Sequence, residues 1–181
     1  LFKTQMGSSI WKNFTPGNNA RVIDDVISSG AILVGKTETA EFAVHKLNKT
    51  LNPYDVSRTP GTSSSGSAVC VANGDVPFSL GTQSAASIIR PASFCGVWGF
   101  KPSFGLIPRT GVLKTCDTLD TVGFFTSHQK SLRTVLNIIR LKGKNHPFVY
   151  KNIDKKDYKK KNNILIGVLK TSFFENSEEF I

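Results

Sequence analysis

The sequence has few of the residues that bind metals or form disulfide bonds. Its 181 residues include three cysteines and three histidines, and no two cysteines have a CxxC spacing. An odd number of widely spaced cysteines argues against a disulfide framework and a zinc site, and it is typical of a reducing compartment. The pattern therefore predicts small buried thiols and indicates no metal site. The cysteines are Cys70, Cys95 and Cys116.

Long apolar segments are also missing. No apolar run approaches the roughly 20 residues that a membrane-spanning helix needs, so we expect no membrane partner. Apolar residues make up 39% of the chain and charged residues 20%, which is typical of a globular domain. The chain begins with leucine and shows no signal-peptide pattern. We therefore expect a segment from inside a longer gene product and a cytoplasmic location, with an upstream targeting signal left open.

Acidic residues are scarce, because 23 Lys and Arg stand against 13 Asp and Glu, a formal net charge of +10. Ten of the basic residues and two of the acidic ones lie between Arg140 and Lys170. Such a stretch can bind nucleic acid, but its lysine clusters at 155–161 contain a single aromatic residue, Tyr158. We favour a solvated, variable linker over residues 142–163 and do not expect nucleic acid as a partner.

Helical and extended patterns alternate along the chain, which favours an α/β fold. One apolar face predicts a helix over residues 18–30, with Asn18 or Asn19 as its cap and Gly30 at its end. Continuous apolar runs at 31–34 and 164–169 predict buried strands. Further helices are predicted at 67–73, 91–95 and 132–141, and extended segments at 76–80 and 97–101.

Two serine-rich segments stand where predicted helices begin. The first reads Gly-Thr-Ser-Ser-Ser-Gly-Ser over residues 61–67, and the second reads Gly-Thr-Gln-Ser-Ala-Ala-Ser over residues 81–87. Each alone is compatible with a flexible loop or a capping serine. Free backbone amides at a helix start can also stabilise a developing oxyanion beside a serine hydroxyl. Two such segments in one chain therefore favour serine chemistry.

Together with their surroundings, the two segments resemble the amidase signature family. The similarity spans roughly residues 30–123 and has weaker extensions on both sides. The resemblance implies a mixed central β-sheet covered by helices, with residues 1–141 as part of that core and residues 164–181 as the start of its next part. The similar stretches include Gly-Ala-Ile-Leu-Val-Gly-Lys-Thr at 30–37, Glu-Phe-Ala at 41–43, Asn-Pro-Tyr at 52–54, Phe-Cys-Gly-Val-Trp-Gly-Phe-Lys-Pro-Ser at 94–103 and Leu-Asp-Thr-Val-Gly at 119–123.

The resemblance also implies a chemistry. Family members hydrolyse amides with a Ser-cisSer-Lys triad and need no metal or cofactor. By motif position Ser87 matches the nucleophile, and Ser63 matches the bridging serine, which follows a cis peptide bond, here Thr62–Ser63. Arg90 is left open between holding a substrate carboxylate and bracing the loop. The backbone amides that match the oxyanion loop are those of Ser84, Ala85, Ala86 and Ser87.

The chain departs from the family pattern at its lysine and at two glycines. The family's catalytic lysine precedes the first serine segment by several tens of residues, which here falls just before Leu1. Lys36 lies in a Gly-Lys-Thr segment that the family shares, and we assign it a structural role. Lys3 lacks the aspartate that follows the family's lysine. Thr62 and Ala86 each replace a glycine, and a Cβ is costly if the backbone needs a positive φ.

Three functions follow as hypotheses. The first is an amidase that acts on a small-molecule amide and is inactive as this chain alone, with a homodimer left open. The second is a glutaminase like the glutamyl-tRNA(Gln) amidotransferase subunit that releases ammonia from glutamine. It suits the basic stretch, although the pattern from Gln83 to Arg90 is closer to general amidases. The third is a non-catalytic remnant, motivated by Thr62, Ala86 and the absent lysine.

Overall fold

The structure is a computed structural model that describes residues 2–143, 165 and 167–176. The chain divides into two compact units, Leu1–Val149 and Tyr150–Ile181. None of the helices in the described residues is long and apolar enough to cross a membrane. In the second unit a short helix α5 spans Ser172–Glu175. The first unit contains two 3-10 turns, at Ser9–Trp11 and Glu41–Ala43. Its helices and strands are α1 (Arg21–Ser28), α2 (Ser65–Ala72), β1 (Phe78–Gln83), α3 (Ile89–Phe94), β2 (Trp98–Phe100), β3 (Thr121–Thr126) and α4 (Gln129–Ile139).

The three strands form one antiparallel sheet in the order β1-β3-β2. In the β1–β3 pair, Phe78 lies opposite Thr126 and Gln83 lies opposite Thr121. The end of β1 and the start of β3 therefore lie at the same edge of the sheet. Segments that follow Gln83 and precede Thr121 must meet there.

Strand β3 lies in the middle of the sheet and is buried on both faces. Phe124 and Phe125 are both fully buried, and they point to opposite faces because side chains alternate along a strand. Phe124 packs in a cluster with α1 and α4, and Phe125 packs in a cluster with α2 and α3. Helices thus cover both faces of the sheet, which confirms the α/β class.

The predicted helices are confirmed with shifted ends. The helix predicted over 18–30 spans Arg21–Ser28, and Ala20 rather than Asn18 or Asn19 is its N-cap. The Asn19 side chain instead donates a hydrogen bond to the Asp24 carboxylate at 3.0 Å. Gly30 has φ +91°, a left-handed conformation that suits glycine at a helix end.

Two predicted strands are wrong in the described residues. Residues 31–34 have no regular structure, and Ile32 and Val34 are 87% and 70% exposed. A strand needs a hydrogen-bonded neighbouring strand, and among the described residues this apolar run pairs with none. Of the strand predicted at 164–169, residues 164 and 166 lie outside the described residues, whereas Leu165 and residues 167–169 are exposed and irregular. The basic linker predicted over 142–163 lies outside the described residues from 144 onwards.

The thiols are less uniformly buried than predicted. Cys95 is buried, Cys70 is half-buried and Cys116 is exposed, and all three are free. Burial raises the pKa of Cys95 to about 11. Only Cys95 therefore fits the expected buried thiol.

Candidate active site

The first serine segment leads directly into α2, as its sequence position predicts. The Thr62–Ser63 peptide bond is cis. Ser63 is 1% exposed, and its carbonyl oxygen accepts hydrogen bonds of 3.0 Å from the amide of Ala40 and the hydroxyl of Thr39. Residues 39–40 thus fix the position of the Ser63 backbone.

The Ser63 hydroxyl differs from the hydroxyls beside it. Within the described part of the chain it is buried and has no hydrogen-bond partner. By contrast, Ser64 donates to the Thr82 carbonyl at 3.2 Å, and Ser65 accepts from Asn48 at 3.1 Å. A buried hydroxyl without a partner costs free energy, and this cost falls on Ser63 but not on Ser64 or Ser65.

The second serine segment forms the turn between β1 and α3. The Gln83 side-chain oxygen accepts from the amides of Ile88 and Ile89, at 2.8 and 3.0 Å, and so closes the turn. Ala86 has φ +67°, the left-handed conformation that glycine adopts at the least cost. We call residues 84–87 the serine turn. In the described part of the chain, the backbone amides of the serine turn donate to no protein acceptor.

The two serine segments meet in space. The Ser64 amide donates to the Ser87 carbonyl at 3.4 Å. Ser63, Ser84 and Ser87 line one cleft, whose other wall is formed by residues 112–115 and 120–122. The structure therefore brings together the two serines that the sequence singled out, although they lie beside different helices.

Asp120 closes the cleft from the side of β3. It is 7% exposed and accepts hydrogen bonds from the Ser84 hydroxyl and from the amides of Thr115 and Cys116. Burial raises the pKa of this carboxyl, but the donors Ser84, Cys116 and Thr115 outweigh it, so the pKa lies below its usual value. Asp120 is therefore an ionised group beside the serine turn.

Arg90 contacts the backbone of the first serine segment. Its guanidinium donates to the Thr62 carbonyl at 3.2 and 3.3 Å and to the Thr62 hydroxyl at 3.0 Å. A further contact of 3.5 Å reaches Nδ1 of His45. These bonds support the bracing interpretation, because Arg90 links α3 to the cis peptide.

The lysines of the described region stand apart from the Ser63 hydroxyl. Lys3 donates to Asn13 at 3.2 Å and Lys36 donates to Thr4 at 2.7 Å. Burial lowers the pKa of Lys36, but its ammonium is engaged away from the serines. Lys114 lines the cleft, yet its side chain is 57% exposed and paired with Asp117 at 3.4 Å.

Sequence patterns alone did not point to Asp120, Thr115 or Lys114. Asp120 belongs to the Leu-Asp-Thr-Val-Gly stretch of the family resemblance, but that resemblance gave it no role. Among the described residues, no group of three or more His, Cys, Asp or Glu side chains is arranged to bind a metal ion.

Comparisons with known proteins agree on one family. A family model described as Amidase matches residues 2–180. A glutamyl-tRNA(Gln) amidotransferase subunit from Dehalococcoides mccartyi is 41% identical over 143 residues, which are 76% of this chain and 29% of that protein.

Solved structures show the same relationship. The corresponding glutamyl-tRNA(Gln) amidotransferase subunit from Thermotoga maritima has a TM-score of 0.76 and 34% identity, over 81% of this chain and 34% of that chain. The peptide amidase from Stenotrophomonas maltophilia has a TM-score of 0.73 and 31% identity, over 81% and 32% of the two chains. The chain thus spans about a third of the length of the proteins it matches.

Proposed function

The chain belongs to the amidase signature family, and we propose that the protein that contains it hydrolyses a carbon–nitrogen amide bond through a serine acyl-enzyme. One observation carries this proposal. Ser63 and Ser87 line a single cleft, and the Ser63 hydroxyl is buried without a partner among the described residues. A serine hydroxyl is a weak nucleophile until a base takes its proton, and the buried, unpaired Ser63 hydroxyl can pass a proton from Ser87 to a base.

In the proposed reaction the Ser87 oxygen attacks the carbonyl carbon of the amide. Its proton passes to the Ser63 oxygen, while the Ser63 proton passes to a neutral lysine amine supplied by a segment outside this chain. The carbonyl oxygen becomes an oxyanion, which the free amides of the serine turn stabilise. The lysine then protonates the departing amine, and water hydrolyses the resulting ester of Ser87. The substrate class is a small-molecule amide.

This chain alone is expected to be inactive, because no described lysine reaches Ser63. The test compares this chain with a form extended at its N-terminus by the residues encoded upstream. We expect Ser87-dependent hydrolysis of a simple amide or ester only in the extended form. Full activity after Ser87→Ala in the extended form would falsify the role given to Ser87.

A second candidate is the glutaminase of an amidotransferase. The similar proteins from Dehalococcoides mccartyi and Thermotoga maritima are named as glutamyl-tRNA(Gln) amidotransferase subunits. In this case the protein releases ammonia from glutamine for a partner protein that works on charged tRNA. Copurification with such a partner, and release of ammonia from glutamine that rises when the partner is present, distinguishes this candidate from a self-sufficient amidase.

A third candidate is a non-catalytic remnant. Thr62 and Ala86 stand where the family has glycine, and Ala86 adopts the left-handed conformation with a Cβ present. The sequence encoded before Leu1 decides the matter most directly. A lysine followed by aspartate there supports catalysis, and its absence supports the remnant.

A further inference from the structure

We propose that Asp120 is a positioning residue that holds the serine turn through the hydroxyl of Ser84, and that it sets the direction of the amides around Ser87. The proposal rests on the proposed serine chemistry. It assigns a role to Asp120, which has none in the sequence motifs or in the reaction proposed above.

The carboxylate of Asp120 is fully engaged on both oxygens. Oδ1 accepts from the Ser84 hydroxyl and, at 3.1 Å, from the Thr115 hydroxyl. Oδ2 accepts from the amides of Thr115 and Cys116, at 2.6 and 2.9 Å. A carboxylate held by four donors has a fixed orientation, and it has little capacity left to bind a substrate group directly.

The serine turn needs support at its first residue. Gln83 fixes the far end, because its side chain binds the amides of Ile88 and Ile89. The residues between, Ser84 to Ala86, are exposed, and the alanines have no polar side chain. The bond from Ser84 to the buried Asp120 carboxylate therefore anchors the near end of the turn.

The sheet brings the two partners together. Gln83 and Thr121 are opposite each other in the β1–β3 pair, so Ser84 and Asp120 are the next residues outward on each strand. A hydrogen bond to an ionised acceptor is shorter and stronger than a neutral one. The sheet edge thus supplies a rigid base for the turn that carries Ser87.

The main alternative is that Asp120 only organises its own loop. Asp117 provides a matched control, because it lies in the same loop and holds Arg109 and Lys114 at 3.3 and 3.4 Å. It is exposed, does not line the cleft and forms no hydrogen bond or ion pair with the serine turn among the described residues. Loss of loop order alone predicts similar effects from Asp117→Asn and Asp120→Asn.

The experiment uses the full-length protein that contains this chain and compares kcat and KM for one amide substrate. We expect Asp120→Asn and Ser84→Ala each to lower kcat about 10- to 100-fold, since small misplacements have effects of that size, with KM within about twofold. The double variant is expected to match the worse single variant, because both remove one interaction. Ser84→Thr should restore most of kcat, and Asp117→Asn should leave it unchanged.

Additive losses in the double variant, or an equal loss in Asp117→Asn, overturn the proposal. Amide hydrogen exchange supplies an arm that does not need turnover. Ser84→Ala and Asp120→Asn should speed exchange of the Ile88 and Ile89 amides, which the Gln83 side chain binds at the end of the serine turn, and leave a peptide from α4 unchanged. The two proposals can fail separately. If the wild-type protein does not hydrolyse the amide, or if Ser87→Ala hydrolyses it equally well, the proposed function fails. If hydrogen exchange at Ile88 and Ile89 is the same in the wild type, Ser84→Ala and Asp120→Asn, the positioning role of Asp120 fails.

Discussion

Ser63 has a hydrogen-bonded backbone carbonyl and a side-chain hydroxyl without a partner among the described residues. Replacing the side chain by alanine measures the contribution of the hydroxyl to stability alone. We expect Ser63→Ala to leave the free energy of unfolding of this chain unchanged or raise it by about 1 kcal/mol, because it removes a buried hydroxyl that has no partner. Urea denaturation gives the value. Ser64→Ala is the matched control.

The Ser64 hydroxyl donates to the Thr82 carbonyl and accepts from the Thr82 amide, at 3.2 and 3.3 Å. Its removal should lower the free energy of unfolding by about 1–2 kcal/mol. Equal losses in Ser63→Ala and Ser64→Ala would show that the Ser63 hydroxyl does have a partner in this chain.

Ala86 carries a second residue-scale prediction. Its φ of +67° is left-handed. This conformation costs a residue that has a Cβ about 1–2 kcal/mol. We expect Ala86→Gly to raise the free energy of unfolding by up to about 1 kcal/mol, after the greater chain entropy of glycine is subtracted. Thermal unfolding monitored by circular dichroism provides the measurement.

Ala85 is the control for this change, since it is exposed like Ala86 but has no positive φ. Ala85→Gly should lower stability by roughly 0.5–1 kcal/mol. If both variants raise the free energy of unfolding, the gain comes from greater flexibility of the whole turn and not from removal of the Cβ at Ala86.

The sequence allowed more to be predicted for the serines than for their surroundings. Ser63 and Ser87 sit in linear motifs, so resemblance alone brought them together. Asp120 is 33 positions after Ser87 and meets Ser84 only because β1 and β3 pair. Contacts of this kind depend on strand pairing, which a single sequence does not encode locally.

At the scale of elements, Gly123 tests how tightly β3 is enclosed. A Cβ at Gly123 would collide with the Phe100 carbonyl and come within 2.6 Å of the Ile88 side chain. We expect Gly123→Ala to lower the free energy of unfolding by about 1–3 kcal/mol, the usual range for overpacking. Chemical denaturation measures the change.

Gly35→Ala is the matched control, because nothing lies within 4 Å of an added Cβ there. Its effect should stay within about 0.5 kcal/mol, as for most surface changes. An equal loss at both positions would contradict the close packing of β2 and α3 against β3.

Prediction of the elements succeeded for helices and failed for some strands. Helices α1 and α4 have a periodic apolar face that is local in sequence. The apolar run at 31–34 looks the same as a buried strand, but burial depends on a neighbour that the run itself does not specify. Strand β3 was not predicted as an element because its residues carry no clear alternation, being buried on both faces.

For the molecule as a whole, the thiols report on folding. Cys95 is buried with its pKa raised to about 11, burial also raises the pKa of Cys70, and Cys116 is exposed. A raised pKa leaves less of the reactive thiolate. At about pH 8, close to the ordinary thiol pKa, we expect iodoacetamide to modify Cys116 first and Cys95 only as the chain unfolds, as followed by mass spectrometry.

In about 6 M guanidinium, enough to unfold most domains, the three thiols should react at similar rates. A Cys116→Ser variant should lose the fast phase and keep the slow one. Rapid labelling of Cys95 in the native chain would mean that the cluster between α2, α3 and β3 opens readily.

The pairing of β1 with β3 has a consequence for the order of events during folding. A slip of one residue would turn the inward side chains outward and would separate Ser84 from Asp120. Helices can form early from local sequence, but the cleft is complete only when these two distant strands pair correctly. A chain in an early folding stage would thus lack the contact between Ser84 and Asp120, and that side of the cleft would form together with the native sheet.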